Sequence, residues 1–289
     1  SQECSRKQKL QEKLHRVFHQ YGFEDIETPT FEYFEVFSKE VGTIPSRELY
    51  KFFDREGNTL VLRPDFTPSV SRACATYFNP EKEVVSLCYT GNTFINNSSF
   101  RGRLKETTQM GVERMGDDSP EADAEILAMT VECLLATGLT EFQVSVGQVD
   151  YYKAIFAQTG LSQEEEEELR ELISQKNYFG VEELVKNKNM DKSLARVLSQ
   201  LPQMFGSTEV LEKAKSLTDN PQALKAVARL EEIYEIMKNY GYEKYISFDF
   251  GMLSKYQYYT GIIFQAYTYG TGEPMIKGGR YNGLMKHFG

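Results

Sequence analysis

Leu10, Leu14 and Phe18 recur at four-residue spacing with charged residues between them, which predicts an amphipathic helix over residues 1–20, stopped by Tyr21-Gly22. His15 and His19 share that spacing, as metal ligands on a helix do, but no nearby Cys or third ligand supports them, and a solvated helix flank is the reading. Residues 23–33 read as extended, with Pro29 at an edge or bend because it cannot donate to a ladder. Residues 50–54 and 59–63 read as two strands, with Gly57-Asn58 as the positive-φ residues of the turn. Pro68 opens a helix with Thr67 as its N-cap. Residues 83–89 form a buried strand that runs on into a loop, and residues 105–115 return antiparallel to it. Ser119-Pro120 starts a further helix, with Ile126, Met129 and Cys133 on its apolar face and Gly138 at its end.

After an alternating strand at 140–147 the pattern changes. Residues 150–240 read as a series of short helices, and the acid run after Ser162 complements a helix dipole rather than marking an acidic-partner site. Strand character returns at 243–253, where Ile246, Phe248 and Phe250 alternate with Ser247 and Asp249. A hairpin follows. Adjacent Tyr258 and Tyr259 are expected on opposite faces of its first strand, and Gly278-Gly279 in a tight turn before Arg280. The expected fold is α+β: a mostly antiparallel sheet flanked by helices, with a core at 1–150 and 241–289 and a helical insertion at 151–240.

Composition narrows the function classes. A net charge of -9 argues against broad nucleic-acid binding, which basic patches drive. The spacings of Cys4, Cys74, Cys88 and Cys133 match no zinc or redox motif, and the last three sit in apolar surroundings as free thiols, which fits a reducing cytosol. No signal peptide or membrane-spanning run is evident, so a cytoplasmic protein is expected.

Two regions carry candidate chemistry. Gln109, Gly111 and Glu113 alternate on one strand face, as either a solvent-facing row or the wall of a small-ligand site. Arg101, Arg103 and Lys105 are either a flexible charged loop or an anion site. Read alone, Asp65 and Thr67 are loop and capping residues.

Taken together the motifs resemble those of histidyl-tRNA synthetases and their non-catalytic relatives, the regulatory subunits of ATP phosphoribosyltransferase. The strings are Tyr258-Tyr-Thr-Gly261, Gly278-Gly-Arg-Tyr281, Gln109-Met-Gly-Val-Glu113 and Arg63-Pro-Asp-Phe-Thr67. The resemblance implies a class II aminoacyl-tRNA synthetase-like core. It implies histidine binding by Asp65, Thr67, Gln109, Glu113, Tyr258 and Tyr259. Asp65 stands where the synthetases carry a Glu. The family pattern Phe-Arg-x-Glu reads Phe94-Ile-Asn-Asn97, so Ile95 replaces an arginine and Asn97 a glutamate. Ser254 replaces a second arginine.

Those losses bear on catalysis. Activating an amino acid builds negative charge on the α-phosphate of ATP, and a guanidinium stabilises it. Removing one such donor costs about 3–4 kcal/mol of transition-state stabilisation. The implied protein is therefore a regulatory subunit with no catalytic residues, metal or cofactor of its own. Its implied effector is histidine. Its implied partner is the short-form catalytic subunit of ATP phosphoribosyltransferase, in a hetero-octamer of four copies each, with a dimer formed through the synthetase-like core. An alternative is a histidyl-tRNA synthetase fragment that activates histidine with ATP; a third is a synthetase-like sensor of uncharged tRNA, which the acidic charge disfavours.

Overall fold

Helix α1, Gln2–Gln20, begins where the Ser1 side chain accepts from the Cys4 amide and ends at Tyr21, with Gly22 at φ 81°. Of its residues only Val17 and Phe18 are buried, as its dense charge requires. This is a computed structural model, and it describes residues 1–37, 44–97, 102–254 and 258–288. They divide into two compact units: residues 1–118 with Tyr258 and 282–288, and residues 119–254 with 259–281.

In the first unit α1 is followed by β1 (Glu24–Asp25), β2 (Phe31–Tyr33), β3 (Lys51–Phe53), β4 (Thr59–Leu62), α2 (Thr67–Tyr77), β5 (Val85–Phe94) and β6 (Glu106–Met115). Strands β1, β5 and β6 form one sheet in that order, β1 parallel to β5 and β6 antiparallel to it. Strands β2, β4 and β3 form a second, antiparallel sheet. Apolar residues of α2 and β5 meet in a core of Phe66, Val70, Cys74, Val85, Leu87 and Tyr89. The β3–β4 turn uses Gly57 at φ 84°, but Asn58 does not take the expected positive φ. It bonds back to Asp54 instead, through its amide N and Nδ2, both at 2.8 Å.

The second unit runs α3 (Pro120–Ala136), β7 (Phe142–Gln148), α4 (Val149–Ala157), α5 (Gln163–Ser174), α6 (Tyr178–Asn187), α7 (Lys192–Gln200), β8 (Phe205–Gly206), α8 (Glu209–Ser216), α9 (Pro221–Tyr240), β9 (Ile246–Asp249), β10 (Tyr259–Thr268) and β11 (Ile276–Tyr281). Its sheet has the order β11-β10-β7-β9-β8, antiparallel except for β7 beside β9. Leu127, Val144, Ile155, Leu169, Leu230, Phe248 and Phe264 share one core, so the short helices pack on this sheet rather than on one another alone. The expected α+β class with antiparallel pairing prevailing is what the chain adopts, distributed over three sheets among the described residues.

The hairpin differs from expectation in two details. Tyr258 lies in the turn before β10, and only Tyr259 belongs to the strand. Gly278 and Gly279 lie inside β11, not in a turn. A Cβ on Gly278 would sit 2.4 Å from the Phe264 ring, and one on Gly279 would sit 2.6 Å from the Tyr259 ring. The glycines are there to leave room for aromatic rings on the neighbouring strand.

Candidate functional site

The β5–β6 register sets the base of a polar cluster in the first unit. Leu87 pairs with Glu113, Tyr89 with Gly111, and Gly91 with Gln109. Gly111 is where Tyr89 needs space: a Cβ there would meet the phenol oxygen at 2.3 Å. Gly91 makes room in the same way for the Arg63 guanidinium, which a Cβ would meet at 2.4 Å. Arg63 stands 4.2 Å from the Phe66 ring centroid, and Phe66 stacks on Tyr89 at 4.4 Å with 12° between the planes. Arg63 is buried and donates to backbone carbonyls, from Nε to Asn92 O (2.7 Å) and from Nη1 to Thr28 O (3.0 Å). Its charge thus fixes the strand ends and supports the stack.

Polar side chains gather around the Tyr89 phenol. Glu113 is buried, 7% exposed, and its Oε1 accepts from Thr67 Oγ1 at 2.7 Å and from Tyr89 OH at 3.2 Å. Hydrogen bonds to a charged group contribute about 1.5–3 kcal/mol each, which offsets the cost of burying a carboxylate. Asp65 Oδ1 accepts from the amides of Phe66 (2.7 Å) and Thr67 (3.5 Å) at the start of α2. Desolvation outweighs these bonds and the Gln109 side chain, so the Asp65 carboxyl stays above the ordinary carboxylate value. Burial first, and then the charges of Glu113 and Asp65, raise the Tyr89 phenol well above its ordinary value, so it remains a donor.

Asp65, Thr67, Gln109 and Glu113 are therefore gathered in one place, around Tyr89. Thr67 was expected to cap α2; its hydroxyl goes to Glu113 instead, Phe66 holds the N-cap position without a side-chain bond, and Asp65 supplies the acceptor. Tyr258 is a half-buried residue of the same unit, while Tyr259 opens β10 in the other. Arg101 lies outside the described residues. Arg103 and Lys105 are exposed in the loop before β6. Tyr89 and Arg63 are participants that sequence reasoning missed. The usable signal was Gly111, since a glycine between two polar residues on one face asks for a large side chain opposite it.

The two positions where the family pattern carries arginines are neutral. Ile95 follows β5, and its amide donates to Lys105 O at 2.9 Å. Ser254 presents its backbone N–H to the Tyr152 phenol. Arg280, in the Gly-Gly-Arg string, is bound elsewhere. It pairs with the buried Asp123 through Nε (2.8 Å) and Nη2 (2.6 Å), and Arg229 Nε takes the other oxygen of Asp123 at 2.9 Å.

The histidyl-tRNA synthetase family model matches residues 1–289. An ATP phosphoribosyltransferase regulatory subunit from Acetivibrio thermocellus is 41% identical over 287 residues, covering 99% of this chain and 69% of the relative. The crystal structure of an ATP phosphoribosyltransferase regulatory subunit/histidyl-tRNA synthetase from Bacillus halodurans superposes with TM-score 0.90 at 32% identity, over 100% of this chain and 75% of that one. A histidine–tRNA ligase subunit from Alicyclobacillus acidocaldarius shares the fold, with TM-score 0.81 at 21% identity over 99% of this chain and 87% of that one.

Proposed function

The chain belongs to the histidyl-tRNA synthetase-like family that includes the regulatory subunits of ATP phosphoribosyltransferase, and from that premise we propose that it is such a subunit, non-catalytic and responsive to histidine. Free histidine binds the pocket of Asp65, Thr67, Gln109 and Glu113. The carboxylates pair with its ammonium and imidazole. Tyr258 and Tyr259 stand in the proposal on the resemblance of the Tyr258-Tyr-Thr-Gly261 string. Arg101, Arg103 and Lys105 stand in it as an anion site on their charge alone, and the division into a core at 1–150 and 241–289 with an insertion at 151–240 stands on the sequence pattern.

One observation carries this reading: the buried Glu113 accepts from Thr67 and Tyr89 through Oε1, while the two arginine positions are Ile95 and Ser254. Holding an amino acid's ammonium calls for the first feature, and the second removes the guanidinium donors that adenylation needs. The partner is the short-form catalytic subunit, in the cytoplasm, with four copies of each chain. Histidine regulates by preferring one quaternary state, for which about 1–3 kcal/mol of coupling suffices. The test is reconstitution with that catalytic subunit. Phosphoribosyl-ATP formation should require this chain and fall as histidine is added; activity indifferent to both would end the proposal.

The family match also admits the synthetase reading. Histidine-dependent ATP–pyrophosphate exchange separates the two, because a synthetase shows it and a regulatory subunit does not.

A further inference from the structure

Helix α1 and the sheet beneath it assemble four metal-ligating side chains on the opposite side of β5 from Tyr89. His15 and His19 lie one helical turn apart, so both rings leave α1 on one side, with centroids 4.0 Å apart. The turn at Tyr21-Gly22 reverses the chain into β1, which pairs in parallel with β5 and sets Asp25 directly beside Cys88. Asp25 Oδ1 is 2.5 Å from His15 Nε2, and its Oδ2 is 2.9 Å from His19 Nε2. The Cys88 thiol is fully buried and points at the same carboxylate, Sγ to Oδ1 3.4 Å. One ligand atom from each of the four residues can be chosen so that all lie within 4.8 Å of one another.

We propose that His15, His19, Asp25 and Cys88 form a structural site for a divalent metal ion of the zinc type. Two imidazole nitrogens, one thiolate and one carboxylate oxygen make a mixed tetrahedral donor set, which suits zinc or cobalt(II) and not magnesium or calcium. With metal–ligand bonds of about 2.0–2.3 Å, ligand atoms of a tetrahedral site stand roughly 3.3–3.8 Å apart. The present cluster reaches that arrangement by side-chain rotation, because both histidines keep over two-fifths of their side-chain surface in water. The proton balance is simple. The thiol releases one proton to solvent, and each neutral imidazole carries its ring proton on Nδ1, leaving Nε2 for the metal. The ion ties the C-terminal half of α1 to β1 and β5. Four residues from three elements with large sequence separation gain a common bond, so the bound ion stabilises the folded chain by mass action.

The four ligands are not explained by the histidine pocket, and the proposal is independent of it. It also revises the expectation from the sequence, where His15 and His19 had no third ligand; Asp25 arrives by the turn after α1 and Cys88 by strand pairing.

The test is titration of the full-length, tag-free, reduced protein with cobalt(II). One equivalent should produce visible bands of tetrahedral intensity and a thiolate-to-cobalt charge-transfer band, and zinc should displace it one for one. The half-exposed pair His15→Ala/His19→Ala, which leaves the core untouched, should weaken cobalt binding by more than the roughly 10–100-fold that loss of a supporting contact costs a metal site. The Cys88→Ala variant should lose the charge-transfer band. No charge-transfer band in the wild type, a band that survives in Cys88→Ala, or cobalt affinity unchanged in the histidine double variant would overturn the site.

Discussion

Thr67 Oγ1 donates to Glu113 Oε1 across 2.7 Å, joining the first turn of α2 to the C-terminal part of β6 over 46 residues of sequence. This bond turns a residue that looks like a helix cap into a partner of the buried Glu113 carboxylate. Replacing Thr67 by Val keeps the shape and removes the donor, so the buried Glu113 loses one of its partners. Thermal or urea melts should show a loss of about 1–3 kcal/mol, with Thr67→Ser close to wild type. Histidine affinity should fall in parallel.

Gly111 is expected to tolerate no side chain. In Gly111→Ala the new methyl would meet Tyr89 at its oxygen (2.3 Å) and at a ring carbon (2.5 Å). The ring must tilt out of its stack on Phe66, and overpacking of this kind costs about 1–3 kcal/mol. The near-ultraviolet circular dichroism should change along with the melt. An unaltered spectrum and melt would mean that the phenol does not occupy this space.

How far the sequence revealed this site can be read from these same residues. The face shared by Gln109, Gly111 and Glu113 followed from strand alternation alone, and the strand is there. Helix starts at Ser119 and Ser162 followed from local chemistry, and both serines cap: Ser119 accepts from Ala122 N at 3.1 Å, and Ser162 makes a capping box with Glu165. What local pattern could not supply was pairing. Tyr89 meets Glu113 from 24 residues away, and Cys88 meets Asp25 from 63. The Gly278-Gly279 string was misread for the same reason, since the need for glycine comes from rings on β10 and not from the backbone at those positions. The resemblance of the motifs, rather than periodicity, is what pointed to histidine.

Arg280 should prove structural. Asp123 is 4% exposed and takes both Arg280 and Arg229. Removing its charge in Asp123→Ala takes the shared counter-charge from two guanidinium groups. The cost should be about 3 kcal/mol, the low end for breaking a buried pair, because Arg229 keeps 26% of its side-chain surface in water. A denaturation midpoint unchanged from wild type would show that the triad carries no stability.

The raised carboxyl of Asp65 gives a pH dependence of definite sign. A carboxyl with a folded pKa above its unfolded value of 3.8 binds protons more readily when folded. Its contribution to stability is therefore fully present below 3.8 and is lost as pH rises through the folded pKa. Asp65→Asn should gain stability over wild type at neutral pH, and the gain should vanish in acid. Histidine binding works in the opposite direction, since its ammonium favours the ionised carboxylate, so wild-type affinity should rise with pH across the same window.

The most direct measurement is calorimetric titration of the isolated chain with L-histidine, wild type beside Glu113→Gln. Saturable binding to one site per chain, weakened at least about tenfold (1.4 kcal/mol) by the substitution, is the expected result. No heat of binding in the wild type, or equal affinity in the two proteins, would contradict a histidine pocket built on Glu113.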